Sequence, residues 1–203
     1  MRRRDLLKKM IVAASTFGLA SVPYAIGRLM VPLTTFDFSN HLRPPGALVN
    51  EDDFIRACIG CGLCGEVCPP RCILFEKREG GNGVNTPYID PELKACILCQ
   101  KCMDVCPTDA ITKIDIHEVN MGLAQIDRTA CYPWVDRGIC GACVNICPLG
   151  EKAIAFEFAN MYRPYIKEDG CVGCGICVEV CPHPSLPIRI VESVQGTVTR
   201  HNA

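Results

Sequence analysis

The stretch Cys171-Val172-Gly173-Cys174-Gly175-Ile176-Cys177-Val178-Glu179-Val180-Cys181-Pro182 decides how the chain reads. Its cysteines fall three, three and four residues apart, and a proline closes the phrase. The same phrase stands at Cys58, Cys61, Cys64, Cys68, Pro69 and again at Cys96, Cys99, Cys102, Cys106, Pro107. The remaining copy is stretched: Cys131 is followed by an eight-residue insert, 132–139, before Cys140, Cys143, Cys147 and Pro148. Of the 17 cysteines only Cys72 lies outside the four copies.

The spacing has a physical cause. A cubic [4Fe–4S] cluster needs four thiolates converging from different directions. A tight loop with cysteines three apart aims three sulfurs into one hollow. The fourth cysteine lies one helical turn further on, and in two-cluster ferredoxins it ligates the other cluster of the pair. Proline after it ends the helix without stranding a backbone N–H. Disulfides in an exported protein require neither four near-identical copies nor the closing prolines. Zinc ribbons use paired C-x2-C knuckles rather than a third and fourth cysteine in this rhythm. The sixteen motif cysteines therefore read as iron ligands of four [4Fe–4S] clusters, with local triads Cys58/Cys61/Cys64, Cys96/Cys99/Cys102, Cys131/Cys140/Cys143 and Cys171/Cys174/Cys177.

The copies recur every 35–40 residues, so each is one supersecondary unit. Strand-like alternation precedes the last three units (87–90, 124–127, 164–167) and follows all four (72–75, 110–114, 153–156, 187–191). The expected fold class is α+β: two bacterial-type ferredoxin modules, each of two units, over residues 51–192. A Gly-rich turn at 79–83 links the first two units, and residues 193–203 read as a loose polar tail. Loop-closure cost grows slowly with length, so the linkers allow units to pair sequentially or in a nested order.

Residues 1–9 hold Arg2, Arg3, Arg4, Lys8 and Lys9 against Asp5, and 10–27 is an 18-residue uncharged run. Arg3-Arg4-Asp5-Leu6-Leu7-Lys8 reads as a twin-arginine export signal over 1–30, either cleaved or kept as a membrane anchor. That route carries folded proteins, so clusters are inserted before export and the thiols never meet an oxidising compartment bare. Residues 31–50, with Arg43-Pro44-Pro45-Gly46, read as an extended connector. The net charge is −1, so the chain beyond the basic leader carries −5. Four oxidised clusters, each adding roughly −2, bring the loaded body to about −13. Such a body suits basic rims on a redox partner and disfavours nucleic acid.

Other residues carry weaker signals. Cys72 reads as a buried structural thiol, with a variant ligand or a partner contact as alternatives. Trp134, inside the insert, reads as a cover between a cluster and water, with partner docking as the alternative. Of His41, His117, His183 and His201, none has metal-ligand spacing to another; His183 follows Cys181-Pro182 and reads as a plain loop histidine, with a hydrogen bond near a cluster sulfur as the alternative. No catalytic constellation or nucleotide fingerprint is present.

The twin-arginine leader, the Arg43-Pro44-Pro45-Gly46-Ala47 connector and four cysteine motifs, one of them gapped after its first cysteine, together resemble the MauM/NapG-type periplasmic ferredoxin family along essentially the whole chain. The compact second motif and Cys72 depart from the family pattern. The resemblance implies a non-catalytic electron-transfer subunit at the outer face of the cytoplasmic membrane. Its expected partners are a membrane quinol-oxidising or polytopic ferredoxin-type protein on one side, and a c-type cytochrome or molybdenum oxidoreductase subunit on the other. Four-cluster subunits of molybdenum oxidoreductases are similar in motif count. That analogy implies nested ligation: Cys58/Cys61/Cys64/Cys181, Cys171/Cys174/Cys177/Cys68, Cys96/Cys99/Cys102/Cys147 and Cys131/Cys140/Cys143/Cys106. An alternative function class is an assembly or scaffold protein for an exported reductase, with structural clusters.

Overall fold

The structure, a computed structural model, describes residues 41–77 and 83–191, which lie within one compact unit. The twin-arginine signal, the uncharged run, the start of the connector, most of the 79–83 turn and the C-terminal tail lie outside the described residues. No described helix is long and apolar enough to cross a membrane.

The described part of the connector is built into the body. Leu42 pairs with Ile89 through two backbone bonds of 2.9 and 2.7 Å, and Pro44 and Pro45 are fully buried. Gly46 turns the chain at φ +78°, and a Cβ there would meet the Thr112 carbonyl oxygen at 2.2 Å. The folded body thus begins upstream of residue 51. Helix α1 (Glu51–Ala57) follows, started by Asn50, whose side chain accepts the Asp52 and Asp53 N–H groups. Three acidic residues in its first turn and Arg56 in its last suit the helix dipole. Phe54 is its fully buried anchor, with the Arg43 guanidinium 4.9 Å from its ring centre.

Four shorter helices each begin within the cysteine triads: α2 (Leu63–Glu66), α3 (Lys101–Val105), α4 (Ala142–Ile146) and α5 (Ile176–Glu179). Six strands form three antiparallel ribbons among the described residues. Strand β1 (Ile73–Phe75) pairs with β2 (Pro87–Ile89) in the register Ile73↔Ile89. Strand β4 (Ile154–Phe158) pairs with β5 (Tyr162–Ile166), and β3 (Leu123–Ile126) pairs with β6 (Ile188–Val191).

These pairings settle which units go together. The strand leaving unit three meets the strand entering unit four, and the strand entering unit three meets the one leaving unit four. Units one and two repeat the scheme, with β1–β2 inside and a single bridge, Ala47↔Ile111, outside. The strand expected at 110–114 is reduced to that bridge because the Pro44-Pro45-Gly46 turn limits its partner to a few residues. The modules are sequential, not nested. The strands of unit four pair with those of unit three, and the strand leaving unit one pairs with the strand entering unit two.

One apolar core runs through both modules, from Leu42, Phe54, Ile89 and Met103 through Val119 and Met121 to Val172, Val178 and Ile190. Glu76, the buried carboxylate within it, pairs with His41 Nδ1 at 2.8 Å, and His41 stacks on Tyr88.

Candidate metal centre

The cysteine loops are shaped by left-handed residues two positions after the first cysteine and one after the second. In unit one these are Gly60 and Gly62, at φ +64° and +80°, and in unit four Gly173 and Gly175, at +72° and +83°. Unit two achieves the same turns with Leu98 (φ +57°) and Gln100 (φ +62°), at a strain of about 1–2 kcal/mol each. Leu98 is buried, and the Gln100 side chain donates to the Ile114 carbonyl at 3.2 Å. In unit three, Gly138 (φ +155°) and Gly141 accommodate the insert.

Three of the four triads line a hollow, and in each the fourth thiol comes from the paired unit. Cys171, Cys174 and Cys177 line a hollow with Cys147. Cys131, Cys140 and Cys143 line one with Cys181. Cys96, Cys99 and Cys102 line one with Cys68. Cys64 lies beside Cys58 and Cys61, and Cys106 is the remaining motif cysteine, at the end of α3 in the paired unit. The nested expectation is therefore corrected: Cys181 stands with Cys131 rather than Cys58, Cys68 with Cys96 rather than Cys171, and Cys147 with Cys171 rather than Cys96. Cys106 does not line the Cys131 hollow, where Cys181 stands instead, which leaves the Cys58/Cys61/Cys64 triad for it. Each exchange follows the strand pairing.

The hollows suit a polynuclear group. Among the described residues no three cysteine, histidine or acidic side chains converge on a point that would hold a single ion. The thiols instead stand around apolar spaces lined by residues such as Ile154, Ile166 and Val172, or Pro164 and Pro187. The Leu98 N–H donates to the Cys96 sulfur at 3.4 Å, and the amides of Gly65, Trp134, Ile176 and His183 pull the thiol pKa values of Cys64, Cys131, Cys174 and Cys181 down against the effect of burial. Such donors favour negative sulfur. Burial, then neighbouring thiols, push Cys102 and Cys143 up to about 12. Cys174 is also pushed up to about 12, by burial above all, and Cys64 to about 11. Thiols so crowded become thiolates readily only around positive charge, which an iron core supplies.

The four thiol sets lie in a row. Cys64 neighbours Cys102, Cys96 neighbours Cys174, and Cys177 neighbours Cys143. The middle contact joins the modules: Cys96 N–H donates to the Cys174 carbonyl at 3.0 Å. Beside it Glu179 accepts the Ala95 N–H at 2.8 Å and pairs with Lys94, and Gly175 faces Pro91. The spatial order of units is one, two, four, three. Exposed apolar residues stand at both ends, Ile59 and Leu63 at unit one and Ile139 and Ile146 at unit three, and also at Leu93 and Ile97 by unit two.

Three side chains differ from expectation or exceed it. Trp134 is not among the residues lining a hollow; its Nε1–H donates to the Pro164 carbonyl at 2.9 Å, and its ring lies between Arg128 and Arg163. It pins the insert to β5, and Pro164 does the covering. The His183 ring lies tilted against Tyr132, 4.5 Å between ring centres, and its Nδ1 accepts from Ser185. Cys72 is buried and lines the Cys68/Cys96/Cys99/Cys102 hollow as a fifth thiol. Arg71, at φ +53°, swings it back there; the four-residue offset from Cys68 was the available signal.

A 4Fe-4S dicluster domain family model matches residues 57–132 and 138–184. The ferredoxin-type protein NapG of Escherichia coli K12 is 31% identical over 98% of this chain and 90% of its own length. The methylamine utilization ferredoxin-type protein MauM of Methylorubrum extorquens is 31% identical over 96% and 90%. The MauM of Paracoccus denitrificans is 30% identical over 93% and 87%.

Proposed function

The chain belongs to the 4Fe-4S dicluster family of NapG- and MauM-like ferredoxin-type proteins, and from that premise we propose a four-cluster electron-transfer subunit that bridges two redox partners. Iron–sulfur electron transfer over multiple [4Fe–4S] clusters is what the family establishes for it. Each cluster, when bound, supplies one-electron chemistry at a potential set by its surroundings within roughly −700 to +450 mV.

The observation that carries the four-cluster reading is the row of thiol sets, joined at its centre by the Cys96–Cys174 backbone bond. The ligand sets are Cys58/Cys61/Cys64/Cys106, Cys96/Cys99/Cys102/Cys68, Cys171/Cys174/Cys177/Cys147 and Cys131/Cys140/Cys143/Cys181. Electrons enter or leave at the two ends, beside Ile59 and Leu63 or beside Ile139 and Ile146. The body works at the outer face of the cytoplasmic membrane after twin-arginine export. It links a membrane quinol- or quinone-dependent partner to an exported oxidoreductase or c-type cytochrome. The Arg3-Arg4 leader supports the export, and the similarity to ferredoxin-type proteins supports the redox role.

The test is Cys174→Ser in cells that depend on the pathway. A wire loses electron flux while the partner complex still assembles. Loss of assembly itself would favour a scaffold whose clusters are structural.

A further inference from the structure

Cys72 is the cysteine that the four-fold repeat leaves over, and its position gives it a task. It is 2% exposed and sits at the mouth of β1. Its Sγ lies 3.5 Å from Cys68 Sγ, and Cys96 lines the same hollow. Both neighbours belong to the second unit's thiol set, which Cys72 lines as a fifth member. Units two, three and four hold no counterpart: Thr108-Asp109-Ala110, Leu149-Gly150-Glu151 and His183-Pro184-Ser185 follow their Cys-Pro pairs.

Four thiolates complete a cubane, so a fifth thiol must either replace a ligand or remain protonated beside the set. Geometry favours the second role. Cys68 occupies the place that Cys147 and Cys181 occupy in the other hollows, as the fourth cysteine of its phrase. Once Cys68 is bound to iron its sulfur can only accept a hydrogen bond, and Cys72 then has to be the donor.

We propose that the Cys72 thiol donates its proton as a hydrogen bond to the ligand sulfur of Cys68, raising the reduction potential of that one cluster. Reduction adds a negative charge that spreads onto the ligand sulfurs. A fixed S–H donor stabilises the reduced state more than the oxidised one. The backbone N–H groups around the cysteine loops work in the same sense, and Cys72 adds a donor at a single site. That site is interior, between units one and four, so its potential decides whether the second position is a rest or a hill on the way through. This inference rests on the four-cluster reading.

The experiment is a potentiometric titration, followed by electron paramagnetic resonance, of the full loaded protein and its Cys72→Ala and Cys72→Ser variants. The second-unit signal is assigned by the spectral change that Cys99→Ser produces. Cys72→Ala is expected to shift that signal alone to lower potential, with iron per chain unchanged. Cys72→Ser, which keeps a donor, is expected to restore most of the shift. Unmoved potentials in Cys72→Ala overturn the proposal. An equal shift in both variants also overturns it, because that marks packing rather than donation. Loss of one cubane's iron in Cys72→Ala makes Cys72 a ligand and overturns it too. A parent protein with fewer than four cubanes fails the four-cluster reading instead, and is distinguished by its iron count.

Discussion

Replacing Glu179 by alanine should loosen the joint between the two modules while leaving every thiol in place. The carboxylate accepts the Ala95 N–H at 2.8 Å and pairs with Lys94, immediately before Cys96. Ala95 is fully buried, so Glu179→Ala strands a buried N–H that water reaches poorly. That loss costs about 1–3 kcal/mol. The Lys94 pair adds little, because the Lys94 side chain is 48% exposed and an exposed ion pair contributes roughly 0–1 kcal/mol. At about 2–4 °C per kcal/mol for a chain of this size, the loaded protein should melt about 2–12 °C lower at a fixed scan rate. Partial burial pushes the Glu179 carboxyl up, but Lys94 and the Ala95 amide outweigh it and hold it below the usual range. A depressed carboxylate stabilises above its unfolded pKa and stops doing so as pH falls through the folded one. The gap between parent and variant should therefore be flat from about pH 8 to about pH 6. Glu179→Gln keeps an acceptor and should recover more than half of the loss. Thermal melts followed by circular dichroism under anaerobic conditions measure all three. An alanine variant within about 1 °C of the parent, or a glutamine variant as unstable as the alanine one, would refute the joint.

Gly175→Ala should be far worse than Gly62→Ala. Both sit near φ +80° and carry strain of about 1–2 kcal/mol, but only at Gly175 does the new Cβ strike Pro91, at 2.5 Å, whereas nothing lies within 4 Å at Gly62. Melting of the two loaded variants measures the difference, and equal destabilisation would contradict close contact at the joint. Trp134→Phe should cost about 1 kcal/mol for its lost bond to Pro164. Trp134→Ala should also free the insert, so limited proteolysis should cut within 132–139 faster in the alanine variant alone.

Much of the site was legible because inorganic clusters impose spacing on sequence: four phrases named the sixteen thiols and their triads. The partner of each triad was not legible. Linkers of this length close either way at similar cost, and the choice is made by backbone pairing between strands of three to five residues. Leu98 and Gln100 show a second limit. They occupy left-handed positions where the sister loops use glycine, so the loop shape is imposed by the thiols and core, not by local preference. Arg43-Pro44-Pro45 looked like a free connector because two prolines bar a helix. In the fold they are covered by the first module, and nothing in that triplet says that Ile89 and Ile111 supply the bridges on either side of it.

The most direct test of the account is the position of iron in crystals of the loaded protein, located by anomalous scattering at the iron edge. Four cubane peaks in one row are expected, with the Cys96/Cys99/Cys102/Cys68 peak next to the Cys171/Cys174/Cys177/Cys147 peak at the centre and the Cys58 and Cys131 peaks at the two ends. Fewer than four peaks, or iron bridging Cys58 to Cys181, would contradict it.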